Sequence, residues 1–211
     1  HNHILPCVDD GSQSLEQSMR MLKIAYQEGI RAICLTPHYL PPRYEVSVEN
    51  LKKSKDLLQE ALIQEGMAIQ LYLGHEIYYR QSVLEQILNR KALTMAESRY
   101  VLMEYNVNET AAQIESSIHE LANAGLRPII AHLERYQSLV GDWKKVETLI
   151  DLGAYVQINA GSIEGVFGYK TARWAKLLLK KDLVHIVATD AHNEERRAPK
   201  LNECARYLMR K

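Results

Sequence analysis

Short runs of β-branched and apolar residues alternate along this chain with amphipathic helical patterns, and this alternation constrains the fold more than any other feature. Seven strands are predicted, at 1–5, 32–36, 69–74, 100–104, 128–131, 155–158 and 184–188. Between them apolar residues recur at spacings of three and four, which favours helices. Two examples are the series Leu15, Met19, Leu22, Ala25 and the series Leu51, Leu57, Leu58, Leu62. Repeated βα units of this kind predict an α/β fold, a distorted (β/α)7 parallel barrel of the TIM-barrel type.

Composition favours one ordinary folded domain over residues 1–211. Hydrophobic residues make up 46% of the chain, and 26 Lys and Arg balance 26 Asp and Glu. A neutral chain has no bulk electrostatic attraction to nucleic acid, so no nucleic-acid partner is expected. No apolar run approaches the ~20 residues that span a bilayer, so direct membrane insertion is not expected either. The three cysteines form no CxxC pair, which favours a reducing compartment, and we expect the cytoplasm.

Histidines and carboxylates recur at the C-terminal ends of six predicted strands. A parallel barrel builds its site at those ends, so these side chains should converge on one mouth. The candidate metal ligands are His1, His3, Asp10, His38, Glu76, Glu104, His132, Asp190 and His192. The three remaining histidines, His75, His119 and His185, are assigned structural or surface roles.

Nine ligands are too many for one ion. In His1-x-His3 the period of two places both imidazoles on one face of a strand, and Asp190-x-His192 repeats that geometry. A tetrahedral site needs four ligands, so the set predicts two or three ions with bridging carboxylates. Each residue alone could be a turn, cap or core residue, and the prediction depends on the whole set.

Arg135, three residues after His132, brings a fixed positive charge to this acidic mouth. A guanidinium suits bidentate contact with phosphate oxygens, so Arg135 indicates an anionic, phosphorylated substrate. An ion pair of Arg135 with Glu134 or Asp142 is the alternative. Arg196 and Arg197 are candidates for a second phosphate contact or for a solvated pair of charges.

The motifs resemble those of the PHP (polymerase and histidinol phosphatase) superfamily, and most closely its CpsB-type manganese-dependent protein-tyrosine phosphatases of Gram-positive capsule and exopolysaccharide clusters. The matching segments span the chain: HNHILPxxDDG at 1–11, TPH at 36–38, GxE at 74–76, Glu104, AHxERY at 131–136 and TDAHN at 189–193.

The resemblance implies a three-ion centre, with Mn²⁺ as the cofactor and Fe, Zn or Mg as possible occupants. His1, His3, Glu76 and Asp190 would hold the first ion, and a bridging Glu76 with Glu104 and His132 the second. Asp10, His38 and His192 would hold the third. Arg135, with Arg196 or Arg197, would bind the phosphoryl group. The implied partner is the phosphotyrosine tail of a cognate membrane-associated tyrosine autokinase; the oligomeric state stays open.

The sequence departs from the family pattern in three ways. The hydrophobic segment before the first histidine and the last strand and helix are absent, which we interpret as trimmed termini. Cys7 stands where a small residue, often Gly, is usual. No ligand position is lost, so an active enzyme is expected.

The expected reaction is in-line attack of water, activated by the ions, on a phosphorus atom. A thiolate mechanism is disfavoured, since Cys204 and Arg210 have the Cys-x5-Arg spacing without phosphate-binding glycines. A small-molecule phosphatase acting on histidinol phosphate or a sugar phosphate remains the alternative on the same site. An amidohydrolase would need a bridging Lys that is not found, and a non-catalytic, metal-stabilised binding module would show binding without turnover.

Overall fold

The computed structural model describes residues 1–210, and its centre is a curled, wholly parallel β-sheet surrounded by helices. Two strands, β1 and β3, pair with each other, and the other six follow the order β2-β4-β5-β6-β7-β8. The strands are β1 (Ala32–Leu35), β2 (His38–Tyr39), β3 (Gln70–Leu73), β4 (Glu76–Tyr78), β5 (Tyr100–Glu104), β6 (Arg127–Ile130), β7 (Tyr155–Asn159) and β8 (Ile186–Ala188). The parallel α/β fold predicted from the sequence is confirmed.

Helices follow most strands and cover the outside of the sheet. They are α1 (Leu15–Gln27), α2 (Val48–Gln64), α3 (Val83–Leu88), α4 (Ala111–Asn123), α5 (Trp143–Asp151), α6 (Ala160–Glu164), α7 (Tyr169–Lys180) and α8 (Asn202–Met209). Two short 3-10 turns occur at Met95–Glu97 and Leu133–Arg135. Within residues 1–210, no helix is long and apolar enough to cross a bilayer.

The predicted strands at 32–36 and 69–74 are each followed, after a short break, by a further strand that the sequence did not predict. The pairing of Leu35 with Leu73 is interrupted and resumes in the same register at His38 and Glu76. Pro37 has no N–H to donate, which accounts for a local break in the ladder. The break separates β1 from β2 and β3 from β4 and places His38 and Glu76 beside each other at the mouth.

The predicted strand at 1–5 is wrong as a regular strand, because residues 1–5 form only an isolated bridge between Asn2 and Ala191. This bridge nevertheless connects the two edges of the curled sheet. His3 N donates to Ala191 O at 2.8 Å, and Thr36 N donates to Asn2 O at 3.2 Å. The first two histidines are thereby fixed between β8 and the end of β1.

The apolar faces of the helices pack on the sheet in two large clusters. One contains residues of β4 to β7 with α3 to α7, and the other joins β1 and β3 to α1 and α2. The predicted α2 series holds for Leu51, Leu58 and Leu62, which are buried, but Leu57 is 61% exposed. Ser14 caps α1 by accepting a hydrogen bond from Gln17 N.

Candidate metal centre

All nine predicted ligands lie at the C-terminal side of the sheet and form one connected cluster. Four groups of ligand atoms lie close enough together to hold an ion. The groups are His1, His3 and Glu76; His1, His132 and Asp190; His38, Glu76 and Glu104; and His3, Asp10, His38 and His192. The other three histidines belong to none of these groups.

Glu76, the first residue of β4, is the centre of the cluster. Its Oε1 lies 2.9 Å from His132 Nε2 and 3.1 Å from His1 Nε2. Its Oε2 lies 3.2 Å from His3 Nε2 and 3.1 Å from His38 Nδ1. A carboxylate with two imidazoles on each oxygen is placed to bridge two ions.

Asp10 closes the outer side of the cluster from the loop before α1. Its Oδ1 lies 3.4 Å from His38 Nε2 and 3.6 Å from His192 Nε2. These two hydrogen-bonding partners lower the pKa of Asp10, which is about half exposed. The carboxyl group therefore stays ionised as a ligand.

Three imidazoles are oriented by acceptors behind them. His1 Nδ1 donates to Gln157 Oε1 at 2.9 Å, His3 Nδ1 to Asp9 Oδ2 at 2.7 Å, and His192 Nδ1 to the Asp190 carbonyl at 3.0 Å. Nε2 of each ring is thereby directed at the cluster, where it is available to a bound ion. This is the arrangement that protein metal ligands adopt, since it fixes the tautomer and the ring orientation.

The backbone is strained at two of the candidate ligands. His132 has a φ of 35° and Asp190 a φ of 51°, in the left-handed region that non-glycine residues rarely adopt. The His132 turn is supported by Tyr136, whose hydroxyl donates to Ala131 O at 2.9 Å and accepts from Tyr105 N at 3.1 Å. Strain of this kind concentrates at functional sites.

Two of the candidate ligands, Glu76 and Glu104, are neighbouring carboxylates that repel each other when both are ionised. Burial, together with the nearby charge of Glu76, raises the pKa of Glu104 to about 7. Burial also opposes ionisation of Glu76, but His1, His132 and His3 together outweigh it and lower the pKa of Glu76 well below its usual range. A cation between the two carboxylates would relieve this repulsion.

The three predicted arginines differ in their distance from Asp190. Arg197 Nη2 lies 2.6 Å from Asp190 Oδ2, and Arg135 Nη1 lies 3.8 Å from the same oxygen. Within residues 1–210, the ion-pair partner of Arg135 is Asp190 and neither Glu134 nor Asp142. Arg196 is exposed, and no ion pair joins it to the cluster in this part of the chain.

Glu134, next to Arg135 in the sequence, is buried and accepts two hydrogen bonds. Its Oε1 accepts from Ser162 Oγ at 2.5 Å and from Asn159 N at 3.0 Å. Burial raises the pKa of this carboxyl to about 7. Glu134 therefore connects the turn after β6 to the start of α6.

Sequence reasoning missed three residues that support the ligands. They are Asp9, Gln157 and, in its specific role, Asn159, whose Nδ2 donates to Asp190 Oδ2 at 2.8 Å. Gln157 Nε2 donates in turn to Asn159 Oδ1 at 2.9 Å. The available signal was alternation, since Gln157 and Asn159 are polar residues on one face of an otherwise apolar strand.

The loop after His3 explains the glycine at the end of the HNHILPxxDDG segment. A Cβ at Gly11 would lie 2.1 Å from the His3 carbonyl oxygen, so only glycine allows this close approach. Cys7 has a φ of 59°, a conformation that glycine adopts at less cost. Its departure from the family pattern is therefore accommodated in the loop without displacing a ligand.

The donor set fits divalent cations. Nitrogen and oxygen ligands at about 2.1 Å from one tetrahedral ion lie roughly 3.4 Å apart. The ligand atoms around Glu76, Glu104 and Asp10 are separated by 2.9 to 3.6 Å. Imidazole and carboxylate donors without thiolate suit Mn, Fe, Zn or Mg rather than copper(I) or an iron–sulfur cluster.

Comparisons with known proteins agree with this geometry. The model of the CpsB/CapC family of capsular polysaccharide synthesis matches residues 1–211. Tyrosine-protein phosphatase CpsB of Streptococcus pneumoniae is 34% identical over 218 residues, covering all of this chain and 89% of that protein. Tyrosine-protein phosphatase YwqE of Bacillus subtilis (strain 168) is 31% identical over 211 residues, covering all of this chain and 83% of that protein.

A solved structure shows the same architecture. It is one of the crystal structures of YwqE from Bacillus subtilis and CpsB from Streptococcus pneumoniae, which are described as unique metal-dependent tyrosine phosphatases. It superposes with a TM-score of 0.92 at 31% identity and covers 99% of this chain and 84% of the other. The resemblance inferred from the motifs is thus confirmed, and the chain belongs to the CpsB/CapC family of metal-dependent tyrosine phosphatases.

Proposed function

We propose that this protein hydrolyses phosphotyrosine in the tail of a bacterial membrane-associated tyrosine autokinase and thereby regulates capsule or exopolysaccharide synthesis. Mn²⁺ is the proposed cofactor, in two or three copies. We also place the protein in the cytoplasm, because its three cysteines are free, as is usual in a reducing compartment.

The observation that supports this proposal is the convergence of nine imidazole and carboxylate ligands with two arginines at one mouth. Glu76 would bridge the ion held by His1, His3 and Asp190 and the ion held by Glu104 and His132. Asp10, His38 and His192 would hold a third ion. This division comes from the family resemblance, and the proximity of the ligand atoms supports a site for several ions in which His1, His3 and His38 each lie within reach of more than one group.

The ions, when bound, supply Lewis acidity that lowers the pKa of water and draws charge from phosphoryl oxygens. The chain itself contributes orientation and charge. Arg135, whose side chain is 38% exposed, can turn toward a phosphoryl oxygen without leaving Asp190 unpaired, because Arg197 and Asn159 also contact that carboxylate. A guanidinium placed where charge develops in the transition state stabilises it electrostatically.

The preference for phosphotyrosine rests on family membership, since a small phosphoester would use the same ligands. The direct test is a side-by-side rate measurement on a phosphotyrosine peptide and on histidinol phosphate with the same Mn²⁺-loaded sample. We expect a kcat/KM at least tenfold higher for the peptide. A higher value for histidinol phosphate would favour the small-molecule phosphatase instead.

A further inference from the structure

We propose that a groove beside Arg135 binds the peptide chain that flanks the phosphotyrosine, with a preference for apolar and acidic residues. This inference rests on the proposed function and adds the surface that would select a protein substrate. We call this surface the flank groove. It is lined by Val107, Arg135, Val140, Phe167, Tyr169 and Lys170.

The flank groove adjoins the metal centre through Arg135. Its walls come from the segments that follow β5, β6 and β7, so it opens at the same end of the sheet as the candidate ligands. Arg135 belongs to both places, because it lines the groove while its Nη1 lies 3.8 Å from Asp190. A phosphoryl group held between Arg135 and the ions would therefore leave its peptide at the edge of the groove.

The groove has the size and the apolar surface of a peptide-binding site. Its volume is about 760 Å³. Tyr169 is 79% exposed, Val140 45% and Phe167 41%, and all three contribute to one concave surface. A contiguous exposed apolar patch beside a reaction centre is typical of a binding surface.

Charge favours an acidic occupant. Arg135 and the exposed Lys170 present two positive charges to the groove. The lining carboxyl group, that of Glu134, is buried and accepts from Ser162 Oγ, so it does not face a bound peptide. A peptide with Asp or Glu near the phosphotyrosine is therefore attracted by Lys170 in addition to the contact of its phosphoryl group with Arg135.

The walls are preformed by local packing. Gln137 N donates to Val107 O at 2.9 Å, which joins the segments after β5 and β6. The Phe167 ring packs against Gly161, where an added Cβ would lie 3.3 Å from Cε2. Binding to a preformed groove loses less conformational entropy than binding to mobile loops.

The test compares two substrates in four variants. The substrates are a synthetic phosphotyrosine peptide with Glu and Val on each side, and p-nitrophenyl phosphate, which is too small to reach the groove. The groove variants are Tyr169→Ala and Lys170→Glu. The controls are Leu57→Ala, which truncates an exposed apolar side chain on α2, and Lys23→Glu, which reverses the charge of an exposed lysine on α1.

We expect each groove variant to raise KM for the peptide five- to twentyfold, with kcat, metal content and activity on p-nitrophenyl phosphate within twofold of wild type. The controls should match wild type on both substrates. An equal loss of kcat/KM on the two substrates, or no change in KM for the peptide, would contradict the proposal that this groove binds the peptide. Conversion of a wild-type dimer to a monomer in sedimentation by the groove variants, with peptide KM unchanged, would assign the surface to a second copy of the chain.

Fluorescence polarisation with the same labelled peptide separates the groove from the proposed function. If wild type binds the peptide through Tyr169 and Lys170 but does not hydrolyse it, the proposed function fails and the groove stands. If wild type hydrolyses the peptide and both groove variants bind it with wild-type affinity, the groove fails and the proposed function stands.

Discussion

Arg197 Nη2 lies 2.6 Å from Asp190 Oδ2, on the side of the carboxylate opposite the metal ligands. Asp190 Oδ1 faces the cluster, 3.3 Å from His1 Nε2. One carboxylate thus joins a guanidinium to the metal centre. Arg135 is only at the edge of this arrangement, 3.8 Å from the same Oδ2, and is free to contact substrate.

Replacing Arg135 should damage catalysis without releasing metal. We expect Arg135→Ala to reduce kcat/KM on phosphotyrosine about 10²- to 10³-fold, the scale of one lost charge contact in the transition state. Arg135→Lys should recover only part, because a point charge does not reproduce a bidentate fork. Steady-state kinetics and metal analysis on the same samples check this. Metal loss in Arg135→Ala, or near-normal turnover, would contradict the assigned role.

Replacing Arg197 should affect metal binding as well as turnover, because it leaves the buried Asp190 carboxylate with one fewer donor. We expect Arg197→Ala to lower metal affinity about 10- to 100-fold, as loss of a group that orients a ligand commonly does. Arg196→Ala, at the exposed neighbouring position, is the matched control and should retain its metal. Calorimetric titration with Mn²⁺ distinguishes the two variants. Identical affinities for both would show that Arg197 does not position Asp190.

Gln157 should be required for the metal centre although it is not a ligand. Its Oε1 accepts from His1 Nδ1 at 2.9 Å and from His132 N at 3.1 Å. Gln157→Met preserves size but removes this acceptor, so metal affinity should fall about 10- to 100-fold. The free energy of unfolding should also fall by about 2 kcal/mol, because buried donors lose their partner. Gln64→Met, at an exposed position near the end of α2, should change neither quantity in the same titration and denaturation experiments.

The cysteines should be dispensable for activity and unequal in reactivity. Burial raises the pKa of Cys34 and of Cys204 to about 11, whereas Cys7 is exposed. At pH 8 a thiol with a pKa near 11 is about 0.1% thiolate, and that fraction rises tenfold per pH unit until the pH approaches the pKa. Iodoacetamide should therefore modify Cys7 first in mass spectrometry, and modification of Cys34 and Cys204 should accelerate as the pH rises. Cys7→Ser and Cys204→Ser should keep full activity; loss with Cys204→Ser would support a thiolate mechanism.

The sequence allowed prediction of where the ligands meet, because the C-terminal ends of parallel strands converge whatever the exact strand boundaries. His38 and Glu76 illustrate this, since each lies just beyond the end of a predicted strand, after a break in the ladder, and the two still pair in register. The sequence did not reveal Asp9 or Gln157, because their role depends on which imidazole nitrogen they contact. Nor did it separate Arg196 from Arg197, since adjacent side chains in a loop have no periodicity that fixes their direction.

The most direct test of a metal-dependent phosphatase is to measure bound metal and phosphotyrosine-peptide hydrolysis in one sample, before chelation, after chelation and after addition of Mn²⁺. The account predicts that metal and activity disappear together and return together, with two or three equivalents of Mn²⁺ per chain at full activity. Glu76→Ala should fail to recover either, because Glu76 contacts four imidazoles of the cluster. Undiminished hydrolysis by protein shown to contain no metal would contradict the account.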